Sequence, residues 1–240
     1  MVRDALADHP RARAVLDGLP LLQFLPPAMR DQVAARFALA RYTFGNVIVR
    51  EGDPADALYI LVSGRARVVK RADTGEEIPL NTLQPGDAFG EMGLLKGGTR
   101  VATVRASGDV EVLRLDQAAF EALLAGTPDL KSYVKLQATH RHLHNFLRCY
   151  TPFARLPIEA LTTMLNEMEA LTAAPGEVVI RQGDPAGPMY VVEEGRLRVY
   201  VAEDGTRRYI RYLRRGDFFG ELALFKSEPR STTVEAVSPC

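Results

Sequence analysis

The chain has 240 residues, 47% of them hydrophobic, and its 30 basic and 30 acidic residues cancel to a formal net charge of zero. That leaves room for one large or two ordinary packed domains, and it excludes a basic field for nucleic acid or an acidic field for cationic partners. Two cysteines, Cys149 and Cys240, make neither a disulfide framework nor a metal knuckle, so a reducing, cytoplasmic setting is expected.

In chain order, residues 1–20 form an N-terminal segment without the apolar core of a signal peptide. No apolar run further along approaches the length of a membrane span. Pro27 to Ala40 places Met29, Val33, Phe37 and Ala40 near helical spacing and predicts a helix. Short strand-forming runs follow, such as Leu58 to Val62 and Ala66 to Val69, punctuated by Gly, Asp and Pro. Asp116 is placed to cap a helix over Gln117 to Ala125, and Pro128 to about Arg148 reads as a longer connecting helix. Pro157 to Ala170 predicts another helix through Leu161, Met164, Leu165 and Met168. Strand-like runs then resume, for example Leu197 to Tyr200.

The chain repeats itself. Gly45-Asn46-Val47-Ile48-Val49-Arg50-Glu51-Gly52-Asp53-Pro54 parallels Gly176-Glu177-Val178-Val179-Ile180-Arg181-Gln182-Gly183-Asp184-Pro185. Tyr59 matches Tyr190, and Gly86-Asp87 matches Gly216-Asp217. A period this long means domain duplication rather than a solenoid. The offset falls by one residue along the repeat, which places a deletion in the hairpin near Asp73-Thr74-Gly75 and Asp204-Gly205. Val110 aligns with Cys240, so the second copy is expected to lack its last strand and following helices, and the chain is expected to be part of a longer protein.

The most specific signal is Phe219-Gly220-Glu221-Leu222-Ala223-Leu224 followed by Pro229-Arg230-Ser231-Thr232-Thr233. Phe89-Gly90-Glu91-Met92-Gly93-Leu94 followed by Thr99-Arg100-Val101-Ala102-Thr103 repeats it, with the same spacing from Glu to Arg. A helix start offers free N–H groups to an anion. An arginine adds a planar fork of donors suited to phosphate. A carboxylate beside them fits a ligand that also carries a sugar hydroxyl.

These motifs resemble the phosphate-binding cassette of cyclic nucleotide-binding domains, as in regulatory subunits of cAMP-dependent protein kinase. The resemblance implies a mainly β fold with flanking helices: two tandem jelly-roll (β-roll) domains over 21–126 and 149–240, joined by a helix over 127–148. It implies that Arg230 and Arg100 bind the cyclic phosphate and that Glu221 and Glu91 accept from the ribose 2′-hydroxyl. Gly220, Leu222, Ala223 and Ser231 in the second copy, and Gly90, Met92, Gly93 and Val101 in the first, complete the sets. Gly93 and Thr99 depart from the family pattern, so weaker or altered binding is expected in the first copy.

The resemblance implies no cofactor and no catalytic or metal-binding residue. The ligand would be cAMP, favoured over cGMP, although Ser231 is a hydroxyl residue of the kind that favours guanine in the family. Tyr133 is a possible cap for the base in the first copy. The expected partners are the cyclic nucleotide and an output domain or protein outside this chain, with no nucleic acid and no insertion in a membrane. Arg3, Arg11 and Arg13 do not form the inhibitor sequence of kinase regulatory subunits, and no helix-turn-helix follows the first copy. The alternative is a nucleotide-silent docking scaffold within a transporter, lipase or kinase regulator. No P-loop or Gly-x-Ser-x-Gly elbow is present. His140 and His144 share a helical face but lack further ligands nearby, so a solvated linker face is the expected reading.

Overall fold

A computed structural model describes residues 9–71, 75–95, 98–203, 205–222 and 228–240. The chain divides into two compact units, Met1–His142 and Leu143–Cys240.

The first unit begins with helices α1 (Pro10–Asp17), α2 (Pro20–Gln23) and α3 (Pro27–Ala34), each with proline in its first turn. Proline fits there because the first N–H groups of a helix have no partner to lose. The helix expected to reach Ala40 stops at Ala34, and β1 (Ala38–Tyr42) takes over, paired with β8 (Val110–Asp116). Tertiary pairing overrides the helical spacing of Phe37 and Ala40.

The strands of this unit are β2 (Val47–Val49), β3 (Ala57–Ser63), β4 (Ala66–Arg71), β5 (Glu77–Leu83), β6 (Ala88–Phe89), β7 (Thr103–Ala106) and β8. They form two antiparallel sheets ordered β1-β8-β3-β6 and β2-β7-β4-β5. β3 shows why the fold is layered. Leu58, Ile60 and Val62 join the helix-side core with Leu16, Leu25 and Phe120, whereas Ala57, Tyr59 and Leu61 join the core between the sheets with Val104 and Val112. A strand with both faces covered reads as a continuous apolar run for this reason.

Helix α4 (Glu91–Leu95) lies between β6 and β7, and α5 (Gln117–Gly126) follows β8. Asp116 sits at the N-cap of α5 as expected, but its side chain makes no capping bond and pairs with Arg114 instead. Helix α6 runs from Pro128 to Tyr150, with Asp129 in its first turn and Arg148 in its last, each suited to the helix dipole.

In the second unit, α7 (Ile158–Glu167) is shorter than the sequence implied, and with Phe146 and Leu147 it forms a small core through Leu161 and Leu165. Strands β9 (Val178–Ile180), β11 (Leu197–Glu203), β12 (Thr206–Leu213) and β14 (Thr233–Ala236) form a sheet ordered β12-β11-β14-β9. β10 (Tyr190–Val191) and β13 (Phe218–Phe219) pair where the first unit has a four-stranded sheet. Cys240 bonds Ala173 through the backbone, just as Val110 pairs with Tyr42 in the first unit. The alignment of Val110 with Cys240 therefore holds in three dimensions. Ten positions separate Val69 from its partner Pro79, and nine separate Tyr200 from its partner Tyr209. The lost residue thus falls in that hairpin, although residues 72–74 and 204 themselves lie outside the described set.

Candidate functional site

The same clamp is built in both units. After β6 the chain turns at Gly90 (φ +90°), and after β13 at Gly220 (φ +85°). Arg100 Nη1 donates to the Gly90 carbonyl at 2.8 Å and Nη2 to the Ala57 carbonyl at 2.8 Å. Arg230 repeats both bonds, Nη1 to the Gly220 carbonyl at 2.9 Å and Nη2 to the Pro188 carbonyl at 2.8 Å. Each arginine is also gripped by the preceding Gly-Asp-Pro turn. Arg100 N donates to the Asp53 carbonyl and the Arg100 carbonyl accepts from Gly52 N, while Arg230 N donates to the Asp184 carbonyl and the Arg230 carbonyl accepts from Gly183 N. Those turns look purely architectural in the sequence, and their recurrence is explained by this grip on the arginine. Both guanidinium groups are buried, so they are held as preformed donors rather than left as solvated surface charges.

The two clamps differ in one charge. Arg100 Nη2 also pairs with Asp56 Oδ1 at 2.6 Å, and Asp56 in turn pairs with Arg114 at 3.0 Å. Burial would raise the Asp56 pKa, but hydrogen bonds from Arg114 and Arg100 outweigh it and hold the carboxyl below its ordinary value. In the second unit the equivalent position is Gly187, and a Cβ there would lie 2.9 Å from Arg230 Nη2. Arg230 therefore has carbonyl partners without a carboxylate among the described residues. Asp56 is missed by sequence reasoning because 44 residues separate it from Arg100.

Glu91 is buried at the start of α4 and accepts from Arg141 Nη1 at 2.8 Å; the same nitrogen donates to the Ala88 carbonyl at 2.9 Å. Its other oxygen, Oε2, is buried with no partner among the described residues. Burial pushes the carboxyl above the usual carboxylate range, and the Arg141 charge pulls it back in part. An acceptor left open in this way is matched by a ligand hydroxyl. Arg141 lies on α6, 50 residues from Glu91, and the sequence carries no local sign of the pair.

Of the remaining first-copy residues, Met92 is buried and the Val101 carbonyl accepts from Lys70 Nζ at 2.9 Å. Gly93, which departs from the family pattern, is closely confined. A Cβ there would sit 2.7 Å from Ala55 Cβ and 2.9 Å from the Thr99 carbonyl, so glycine is what lets α4 pack this closely. Tyr133 packs against Phe24 with ring centroids 5.1 Å apart and planes tilted by 37°, and it lies against the helix-side core of its own unit.

In the second unit Gly220, Glu221, Leu222, Arg230 and Ser231 line one cleft of about 260 Å³, together with Ile210, Arg211 and Thr232. Ala223 lies outside the described residues. Ile210 and Arg211 are absent from the motif-based set because they come from β12, a strand before the cassette. No group of three or more metal-ligating side chains occurs among the described residues. His144 is held below its ordinary pKa by burial and by the Arg148 charge.

Two antiparallel rolls, each with a buried arginine clamped to a glycine turn, define a class of ligand-binding domain. Residues 39–127 and 170–240 match the family model of the cyclic nucleotide-binding domain, and the chain belongs to that family. It is 28% identical over 235 residues to cGMP-dependent protein kinase 2 of Rattus norvegicus, covering 95% of this chain and 29% of that protein. It is also 28% identical over 231 residues to the cAMP-dependent protein kinase regulatory subunit of Dictyostelium discoideum, covering 95% of this chain and 68% of that protein. The solved structure of cAMP-bound PfPKA-R (141-441) matches with a TM-score of 0.50 at 24% identity, covering 100% of this chain and 80% of that one, which bears on the fold alone. No helix among the described residues is long and apolar enough to cross a membrane.

Proposed function

We propose that the chain is a regulatory sensor whose two clamps bind a cyclic purine nucleotide, with cAMP favoured over cGMP. The observation that carries this is the repeated bond from a buried arginine to the carbonyl of the glycine turn, Arg100 to Gly90 and Arg230 to Gly220. Arg100 and Arg230 meet the cyclic phosphate, Glu91 and Glu221 accept from the ribose, and Gly220, Leu222, Ala223 and Ser231, with Gly90, Met92, Gly93 and Val101, frame the ligand. The binding units are 21–126 and 149–240, joined over 127–148. The reading assigns binding rather than catalysis to this chain, places it in the cytoplasm, and sends the signal to an output domain or partner outside it. The route out of the first site is Arg141, which ties Glu91 to α6. A ligand that takes over Glu91 changes the hold on that helix, and it shifts the balance only by its differential affinity for the two arrangements.

A second reading, guanine at the second site alone, is favoured by Ser231 and Arg211 in one cleft. Ser231 can accept from a guanine 2-amino group and Arg211 can donate to a purine oxygen, whereas Val101, at the place of Ser231 in the first copy, carries no polar group.

Competition against a fluorescent cAMP analogue tests the assignment. Arg230→Ala and Arg100→Ala are each expected to weaken binding at their own site by about 2–5 kcal/mol, because a charge-assisted phosphate contact is lost. Unchanged affinity in both variants contradicts the reading, and a cGMP preference confined to the second site selects guanine there.

A further inference from the structure

β12 is the terminal strand of its sheet, so no strand lies along its outer edge among the described residues. Seven of its eight positions are exposed. The segment Thr206-Arg207-Arg208-Tyr209-Ile210-Arg211-Tyr212-Leu213-Arg214-Arg215 holds five arginines and no carboxylate. Tyr209, Ile210 and Tyr212 are 54%, 50% and 57% exposed. Arg198 lies over the Tyr209 ring at 5.7 Å and Arg196 over the Tyr212 ring at 5.1 Å. Glu235 pairs with Arg198 and Arg207, while Arg208, Arg211 and Arg214 have no ion-pair partner among the described residues.

The first unit supplies an internal comparison. β5 is also an edge strand, and its register shifts at the same point as that of β12, so Tyr209 stands where β5 has Pro79 and Ile210 stands where β5 has Leu80. Leu80 is 1% exposed, and β5 carries Glu77 and no basic residue. A proline within an edge strand blocks further strand pairing, which is how natural edges are protected. β12 lacks that block, carries the opposite charge and exposes large side chains.

We infer that the β12 edge is a docking strip for an extended, acidic polypeptide segment that adds to the sheet as a further strand. The unpaired backbone supplies hydrogen bonds to such a strand, the arginine row supplies charge complementarity, and exposed Tyr and Arg are the residue types enriched where proteins meet. A nucleic acid would answer the arginines but leave the backbone edge unpaired. Ile210 and Arg211 also line the neighbouring cleft, whereas Arg208, Tyr209 and Tyr212 do not, so the strip is probed at those three positions.

The test is fluorescence anisotropy of the whole chain with a labelled peptide of alternating Glu and Thr. A copy of the peptide N-methylated at alternate amides and an oligothymidylate of equal charge are run in parallel. Saturable binding of the plain peptide is expected, weakened about tenfold or more at about 0.5 M salt. The N-methylated peptide is expected to bind far more weakly, and Arg208→Glu and Tyr209→Pro are expected to reduce binding of the plain one. Should Tyr209→Pro fail to fold, the N-methylated peptide tests strand addition on the unaltered chain. No saturable binding at low salt, equal binding of the methylated peptide, or tighter binding of the oligonucleotide overturns the inference.

Discussion

Gly220 shows how much a single residue carries. Its φ of +85° is one that side chains other than glycine's rarely adopt, and a Cβ would lie 2.8 Å from Arg230 Nη1 and 3.1 Å from the Pro188 carbonyl. Gly220→Ala is expected to cost about 1–2 kcal/mol of stability from the backbone alone. Ligand affinity at the second site should fall with it while the first site is unchanged, read by urea unfolding and a binding titration. Glu91 makes a pH prediction. Its pKa is raised by burial, so its contribution to stability is full below the ordinary carboxylate range and is lost as pH rises through the raised value. Glu91→Gln should therefore gain on the parent protein as pH rises through that window, at about 1.4 kcal/mol for each unit of displacement. Urea midpoints of both proteins from acid to neutral pH check this, and a constant difference contradicts it. At this scale the sequence was legible where spacing is local. The Gly, Glu and Arg of each cassette lie within ten residues of one another, whereas Asp56 and Arg141 join the clamp only through folding.

Among elements, α6 is the one that joins a site to a longer path. Arg141 bonds both the Ala88 carbonyl and Glu91, so it fastens the helix to the strand and to the carboxylate at once. Arg141→Ala is expected to speed hydrogen exchange along the middle of α6 in the ligand-free protein and to reduce the change that ligand produces there; unchanged exchange contradicts the relay. Helix existence was readable: apolar spacing pointed to α3 and α7, the Asp116 cap to α5, and α6 covers the expected connecting helix. Boundaries were not. Phe37 and Ala40 keep helical spacing with α3, yet pairing with β8 makes residues 38–42 the edge strand of its sheet, because the ladder hydrogen bonds outweigh a weak local preference. α1 and α2 were missed because each is short and its apolar face is recognisable only against β3 and the helix-side core.

For the molecule as a whole, duplication is the organising fact, and the copies have diverged in charge as well as in sequence. Asp56 stands beside Arg100 while Arg230, facing Gly187, has no carboxylate partner among the described residues, and β5 is acidic with a proline where β12 is basic without one. The repeat was visible in the sequence because turn residues recur at matched positions. The unequal electrostatics were hidden because they depend on which side chains the roll brings together. The most direct test of the central reading is a calorimetric titration of the intact chain with cAMP. Two binding events are predicted, one abolished by Arg100→Ala and the other by Arg230→Ala. Heat indistinguishable from dilution for both cAMP and cGMP, in a sample shown to be folded, contradicts the assignment of these clamps to a cyclic nucleotide.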